Sequence, residues 1–295
     1  MSKMKVAIYG MQFSEALEDF MPELLNRFRE KEVEFQVEEK FLEILKFIKS
    51  INLENVPTFK SHEDMWDDLD LFFTFGGDGT ILSAITIVQD SNVPMVGVNT
   101  GRLGYLAGIN KKEILPYLDD ILAKNFKISR RSLVKIHSPG LHLKFPFALN
   151  EVTLMRKETT SMITIDAYID GQLVNSFWAD GLIISTPTGS TGYSLSCNGP
   201  IISPETENFV ITPMAPHNLN VRPLVIQDSV EIRLIVHSRV PKYSLSLDNR
   251  LDSIDVKHEI CVRKADFMVN IVQLNHSNYL ETLRQKLFWG IDRRN

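Results

Sequence analysis

The chain has 295 residues, which is enough for two domains of moderate size that each bury a core. Hydrophobic residues make up 44% and charged residues 23%, as in an ordinary soluble globular protein. The 32 Lys and Arg against 37 Asp and Glu give a net charge of −5 without a long basic run, which argues against a dedicated nucleic-acid binder.

The chain also lacks the sequence marks of export or membrane insertion. Cys197 and Cys261 lie far apart and form neither a disulfide framework nor a zinc pair, which favours a reducing compartment. The apolar segment near the start is too short for a signal peptide, and no apolar stretch approaches the ~18 residues of a membrane span. We therefore expect a cytoplasmic protein with no membrane partner.

Strands and helices alternate through the first 126 residues. The pattern predicts strands at residues 6–9, 33–37, 69–75 and 93–98, and helices at residues 14–29, 39–49, 80–89 and 112–124. This rhythm is typical of a mostly parallel, Rossmann-like sheet with helices on its faces. Ligands of such domains bind beyond the carboxyl ends of the strands.

One glycine-rich turn stands at such an end: Gly76-Gly77-Asp78-Gly79-Thr80. Glycines allow close approach of the backbone to a ligand, and the N–H groups of a helix start attract phosphate. Asp78 would repel phosphate unless it binds a metal ion or accepts a proton from a hydroxyl, which points to phosphoryl transfer. The alternative is a tight turn in which Asp78 only caps the helix. The spacing of a Walker A loop, a dinucleotide fingerprint or a hydrolase elbow does not occur in the chain.

From residue 127 the helical rhythm gives way to short alternating segments. They predict strands at residues 133–137, 142–148, 163–169, 173–177, 182–185, 230–236, 243–247, 260–263 and 267–274. Asp170-Gly171 between two of them is a strong hairpin signal. We therefore expect an all-β, sandwich-like domain over residues 127–276 and a final helix within residues 277–295 that packs back on the α/β domain 1–126.

Two polar segments of the β-rich half suit a nucleotide. Asn150 and Glu151 place an amide beside a carboxylate, and these groups can pair with a base edge or ribose hydroxyls. A buried strand that starts after Asp180 runs into the hydroxyl- and glycine-rich loop 186–196. Such a loop can wrap a sugar and stack a base, although similar loops are often simple connections.

Taken together, these segments resemble the NAD kinase family. The resemblance rests on residues 76–80, 99–105, 150–151 and 180–200, and on the further block Pro213-Met214-Ala215-Pro216-His217. It implies an α/β domain followed by a β-rich domain. It also implies transfer of the γ-phosphoryl group of ATP, with a divalent metal such as Mg²⁺, to the 2′-hydroxyl of the adenosine ribose of NAD. The product would be NADP, so that the enzyme controls the cellular NADP pool.

The resemblance assigns roles residue by residue. Asp78 would be the proton acceptor and Gly79 would lie against the substrate, while Asn150 and Glu151 would contact NAD, as would Asp180 further along the dinucleotide. The adenosine half would be enclosed by Thr191, Gly192, Tyr193, Ser194, Leu195 and Ser196, with Ala215 lining the pocket. No metal ligand is assigned. Family members are homodimers or homotetramers.

Some features stay open at this point. Asp248-Asn249-Arg250 stands where many members carry Asp-Gly-Gln, so a substrate contact from Arg250 is in doubt. Nothing in the sequence separates ATP from inorganic polyphosphate as the donor. The glycine turn is shared with lipid and sugar kinases, and a non-catalytic dinucleotide sensor is a further alternative.

Overall fold

The computed structural model describes residues 3–101, 104–157 and 161–290. The first half of the chain alternates strands and helices. Its elements are β1 (Lys5–Gly10), α1 (Glu15–Glu30), β2 (Glu34–Glu38), α2 (Glu39–Leu45), β3 (Thr58–Phe59), β4 (Leu71–Gly76), α3 (Asp78–Val88), β5 (Met95–Asn99), β6 (Ile109–Asn110) and α4 (Leu118–Leu122).

Strands dominate the second half. Its elements are β7 (Lys127–His137), β8 (Phe147–Ala148), β9 (Glu151–Met155), β10 (Ile163–Ile169), β11 (Gln172–Ala179), β12 (Gly181–Ser185), α5 (Tyr193–Ser196), β13 (Asn208–Met214), β14 (Leu224–Gln227), β15 (Ile232–His237), β16 (Lys242–Leu247), β17 (Arg250–Asp255), β18 (Ile260–Gln273) and α6 (Tyr279–Leu287).

The chain divides into two compact units. Unit 1 comprises residues 1–130 together with 269–295, and unit 2 comprises residues 131–268. Strand β18 therefore begins in unit 2 and ends in unit 1, and the last helix belongs to the same unit as the N-terminal α/β part.

Among the described residues, the sheet of unit 1 has the strand order β18-β5-β4-β1-β2-β3, with β6 also paired to β5, and all of these pairs are parallel. The chain moves outward from β1 to β2 and then returns to β4 on the other side of β1. The carboxyl ends of β1 and β4 thus flank the point at which the direction reverses, where open α/β sheets bind ligands. Gly76 pairs with Asn99 at this edge.

Helix α1 covers this sheet through one apolar face. The Ser14 side chain caps its start by accepting the Ala16 N–H at 3.3 Å. Leu17, Phe20, Leu24 and other residues at helical spacing are buried in a core shared with strands β1 and β4. The periodicity in the sequence therefore reports a real packing face.

Unit 2 is built from antiparallel strands. Among the described residues, six strands form a sheet in the order β14-β13-β12-β9-β16-β17. Strand β10 pairs with β11 and β15, and β15 pairs with the first part of β18. The apolar residues of these strands share one core. The expected fold class, an α/β part followed by a β-rich part, is confirmed.

Several local predictions hold and others fail. The hairpin at Asp170-Gly171 is confirmed, since both residues adopt positive φ, 47° and 80°. The predicted helix 112–124 is wrong for its first half because turns precede α4, and Pro116 lies in that stretch. Residues 260–263 and 267–274 form one strand, β18, rather than two.

Candidate functional site

The glycine turn joins β4 directly to α3. Gly77 adopts an extended conformation before the helix begins at Asp78. A Cβ atom on Gly76 would lie 2.1 Å from the Thr80 Oγ1, so only glycine fits there while Thr80 is buried. A Cβ atom on Gly79 would meet no atom of the described residues within 4 Å.

The Asp78 side chain is held by three consecutive backbone N–H groups. Tyr105 donates to Oδ2 at 2.8 Å, and Leu106 and Ala107 donate to Oδ1 at 3.0 and 2.9 Å. A role as helix cap alone therefore does not describe Asp78. It is the first residue of α3, but its carboxylate accepts hydrogen bonds from a loop almost thirty residues further along the chain. Of the segment 99–105 in which this loop begins, Arg102 and Leu103 lie outside the described residues.

Gly104 makes room for this arrangement. A Cβ atom on Gly104 would lie 1.9 Å from Asp78 Oδ1 and 2.7 Å from its Cγ. A larger residue would have to displace the carboxylate or the loop. Gly104, which belongs to the sequence segment 99–105, is therefore needed at this position for steric reasons.

In unit 2 a second aspartate binds a turn in the same way. The Asp248 carboxylate accepts the N–H groups of Leu149, Asn150 and Glu151 at 2.9, 2.7 and 3.2 Å. Asp248 has a φ of 53° between β16 and β17. Burial is the largest cause that raises the pKa of Asp248, against the lowering effect of these N–H groups. The aspartate fixes the turn that carries Asn150 and Glu151.

Glu151 is a buried carboxyl group at the first residue of β9. Burial, and after it the charge of Asp248, raises the pKa of Glu151 to about 8. Its Oε2 atom and the Oδ1 atom of Asn150 are buried without a hydrogen-bond partner among the described residues. A Cβ atom on Gly192 would lie 2.9 Å from Oε2 of Glu151 and 3.5 Å from Nδ2 of Asn150. Polar atoms of this kind are usually satisfied by a ligand or by water.

The hydroxyl-rich loop packs directly against this turn. The Thr186 hydroxyl donates to the Leu149 carbonyl at 2.5 Å, and the Thr186 N–H donates to the Asn150 carbonyl at 2.9 Å. Gly189 approaches Asn150 so closely that a Cβ atom would lie 2.1 Å from its carbonyl oxygen. The loop continues into a short 3₁₀ helix and α5, where the Ser194 and Thr212 hydroxyls are 2.8 Å apart.

Asp180 lies between β11 and β12 and pairs with Arg156. Arg156 Nε is 3.0 Å from Oδ1, and its Nη2 donates to Oδ2 at 3.1 Å, which makes the pair bidentate. The Asp180 N–H donates to the Met214 carbonyl at 3.0 Å. Ala215, the next residue, is exposed and has a φ of 43°. Asp180 is also close enough to Tyr193 for its charge to raise the pKa of Tyr193, after burial as the main cause.

In unit 2 the structure brings Asn150, Glu151 and Gly192 together and places Tyr193 near both Glu151 and Asp180. The other predicted residues are neighbours along the chain: Thr191, Ser194, Leu195 and Ser196 lie on the 3₁₀ helix and α5, and Ala215 directly follows Met214, whose carbonyl accepts the Asp180 N–H. In unit 1 the 104–107 loop binds Asp78, and Gly79 follows Asp78 in the first turn of α3.

Sequence reasoning missed the part that Asp248 plays. In the sequence, Asp248 was noted only because it precedes Asn249 and Arg250, which stand where many family members carry Gly-Gln. Arg250, in doubt as a substrate contact, donates instead to the carbonyl oxygens of Phe145 and Phe147. Its guanidinium also lies 5.0 Å from the Phe145 ring centroid. No signal in the sequence indicated this part, because the positive φ of Asp248 and its hydrogen bonds to residues 149–151 are visible only in the structure.

The described residues contain no group of three or more His, Cys, Asp or Glu side chains placed to hold a metal ion. They also contain no helix that is long and apolar enough to cross a bilayer.

Comparison with known proteins follows the same division of the chain. Residues 14–126 match the family profile described as the ATP-NAD kinase N-terminal domain, and residues 149–274 match the ATP-NAD kinase C-terminal domain. The NAD kinase of Christiangramia forsetii is 44% identical over 99% of this chain and 100% of its own length.

Two solved structures are also similar. Yeast NADH kinase complexed with NADH has a TM-score of 0.85 at 25% identity, over 98% of this chain and 89% of that one. An NAD kinase from Archaeoglobus fulgidus in complex with ATP has a TM-score of 0.74 at 24% identity and shares the fold, over 97% of this chain and 99% of that one.

Proposed function

Because this chain belongs to the NAD kinase family, we infer that it transfers the γ-phosphoryl group of ATP to the 2′-hydroxyl of the adenosine ribose of NAD, giving NADP. It is a phosphotransferase with an alcohol group as acceptor. The full-length likeness to NAD kinases leaves the lipid kinase and sugar kinase alternatives without support.

Asp78 is the proton acceptor in this proposal. The observation that carries it is the position of its carboxylate, which belongs to the partly exposed first residue of α3 and is oriented by three N–H groups. A fixed acceptor near the hydroxyl takes its proton as the oxygen attacks phosphorus. The N–H groups and the dipole at the start of a helix favour the negative charge of phosphates.

The residues clustered in unit 2 would bind the dinucleotide. Asn150 and Glu151 each hold a buried oxygen that has no hydrogen-bond partner in the described part of the chain, which suits hydrogen bonds to a base edge or to ribose hydroxyls. With a pKa near 8, Glu151 is mostly protonated at neutral pH and can donate as well as accept. The remaining contacts with the dinucleotide would come from Asp180, from the loop residues Thr191 to Ser196 and from Ala215.

The divalent metal belongs to the same proposal. Mg²⁺ usually keeps several waters and binds through one or two carboxylates together with substrate phosphates, rather than in a cage of protein ligands. The absence of such a cage among the described residues fits a metal that arrives with ATP. When bound, it would offset the charge of the triphosphate.

Assembly and location are further parts of the proposal. Leu173, Val174 and Trp178 are exposed on β11, the strand at the end of its sheet, and suit a contact in a homodimer or homotetramer. Both cysteines are free, as in the reducing cytoplasm. Light scattering of the purified protein measures the oligomeric state directly.

A reconstitution assay tests the function. The complete mixture of enzyme, NAD, ATP and Mg²⁺ should yield NADP, identified by mass spectrometry, whereas omission of any one component should abolish it. Inorganic polyphosphate in place of ATP tests the alternative donor. No NADP from the complete mixture would overturn the proposal, and NAD binding without turnover would instead support a sensor.

A further inference from the structure

The loop that follows β5 offers an unusual environment to the Asp78 carboxylate. Oδ1 accepts two backbone N–H groups, from Leu106 and Ala107, while Oδ2 accepts one, from Tyr105. An ionised carboxylate has about four lone-pair positions. Among the described residues, one position on Oδ2 is therefore left over for another donor.

We propose that residues 104–107 are a positioning element for Asp78, which fixes its carboxylate so that Oδ2 presents its remaining lone pair to the substrate hydroxyl. Gly104 is the residue that permits this, because any Cβ atom would overlap Oδ1 at 1.9 Å. This inference rests on the proposed function, in which Asp78 accepts the proton.

The C-terminal helix extends the same arrangement. The Lys286 Nζ of α6 lies 5.3 Å from the centroid of the Tyr105 ring, within the range of a cation–π contact. The helix is anchored by buried Leu283, and its first turn is capped by Asn278, whose Oδ1 accepts the Leu280 N–H at 2.9 Å. A chain of contacts thus leads from Lys286 of α6 through Tyr105 to the Asp78 carboxylate.

The first experiment replaces one glycine at a time in this loop. Gly104→Ala should lower kcat about 100-fold, since a misplacement of a reacting group by about 1 Å costs that much, while the KM for NAD changes less than about threefold. Gly108→Ala is the matched control, because a Cβ atom there meets nothing within 4 Å. Equal kcat in Gly104→Ala and the wild type would overturn the proposal.

A double-mutant cycle shows whether Gly104 acts through Asp78. If it does, Gly104→Ala should lower kcat about 100-fold in the wild-type background but less than about threefold in an Asp78→Asn background. Equal losses in both backgrounds would mean that the glycine supports only the general fold, and the proposal would fall. A Kd for NAD measured by calorimetry without ATP confirms that each variant remains folded.

Lys286 gives a second route that does not touch the loop backbone. Lys286→Ala should lower kcat about two- to fivefold at an unchanged KM for NAD, as expected for the loss of a partly exposed cation–π contact, whereas Lys286→Arg should retain the wild-type kcat. An unchanged kcat in Lys286→Ala would show that α6 does not help residues 104–107 to position Asp78. Should the wild type itself make no NADP, the proposed function fails; should it make NADP while Gly104→Ala does so equally well, only the present inference fails.

Discussion

Asp78 in unit 1 and Asp248 in unit 2 use the same hydrogen-bond device in different surroundings. Each carboxylate accepts the N–H groups of three consecutive residues, 105–107 for Asp78 and 149–151 for Asp248. Asp78 is the partly exposed first residue of a helix and stands between two glycines, Gly77 and Gly79. Asp248 stands close to the buried Glu151 and to Arg250, and burial raises its pKa.

The comparison teaches that three N–H donors do not by themselves define a role. The two sites differ in whether the hydrogen bonds position the carboxylate or the loop that donates to it. Around Asp78 the loop orients the carboxylate, and among the described residues Oδ2 accepts a single N–H group, from Tyr105. Around Asp248 the carboxylate orients the loop, because the turn it holds carries Asn150 and Glu151. Loss of the first should therefore affect turnover, and loss of the second should affect stability and substrate binding.

The largest effect is expected for Asp78→Asn. The amide nitrogen cannot accept a proton, so kcat should fall about 10²- to 10⁴-fold while the Kd for NAD stays within about threefold of the wild type. Steady-state rates of NADP formation, with calorimetry for NAD, measure both. Asp90→Asn, at an exposed aspartate just after α3, is the control. An undiminished kcat would contradict the assignment of Asp78 as the acceptor.

Glu151→Gln sharpens the comparison through pH. The pKa of Glu151 is raised from 4.5 to about 8 in the folded protein, so only the unfolded state is ionised between these values. Its contribution to the free energy of unfolding is fully present below pH 4.5 and is lost as the pH rises to about 8. The slope reaches about 1.4 kcal/mol per pH unit, and the Gln variant lacks it.

Urea unfolding of both proteins from pH 5 to pH 9 tests this expectation. The wild type should lose stability relative to Glu151→Gln as the pH rises, and the difference should level off above pH 8. Glu205→Gln, at an exposed position of the same unit, should show no such trend. A difference that is constant over the whole range would mean that Glu151 is ionised throughout.

Asp248→Asn tests the other half of the comparison. The amide keeps one acceptor oxygen for three N–H donors, and the free energy of unfolding should fall by about 2 kcal/mol. The KM for NAD should rise, while kcat at saturating NAD should stay within about threefold of the wild type. Asp252→Asn, on an exposed residue of β17, is the control. A large loss of kcat at unchanged stability would make the two aspartates equivalent and defeat the distinction.

The sequence predicted the fold where local patterns match the packing. Residues 163–169 alternate between buried and half-buried positions, and their strand was predicted to the residue. Strand β17, Arg250–Asp255, was missed because it lies at the edge of its sheet and four of its six side chains are polar. Edge strands carry a weak hydrophobic pattern, so periodicity cannot find them.

The candidate site divides in the same way. Asn150, Glu151 and the loop up to Ser196 were recognised because they form contiguous motifs. The part played by Asp248 depends on hydrogen bonds to residues nearly one hundred positions away, which no local pattern encodes. The hydrogen bonds of Asp78 to the 104–107 loop are also non-local. Gly104, which makes space for the carboxylate, looks like an ordinary turn residue in the sequence.

The smallest effect is expected at Asp180, which is positioned by a side chain rather than by the backbone. Arg156→Lys keeps the charge but loses the bidentate contact, and the pair is partly exposed. The KM for NAD should rise about two- to fivefold at constant kcat, since such pairs contribute about 1 kcal/mol or less. Arg233→Lys, in a comparable pair with Glu259 in the same unit, should leave the KM for NAD unchanged. If both variants give the same KM for NAD, Arg156 has no specific part in holding Asp180 for the substrate.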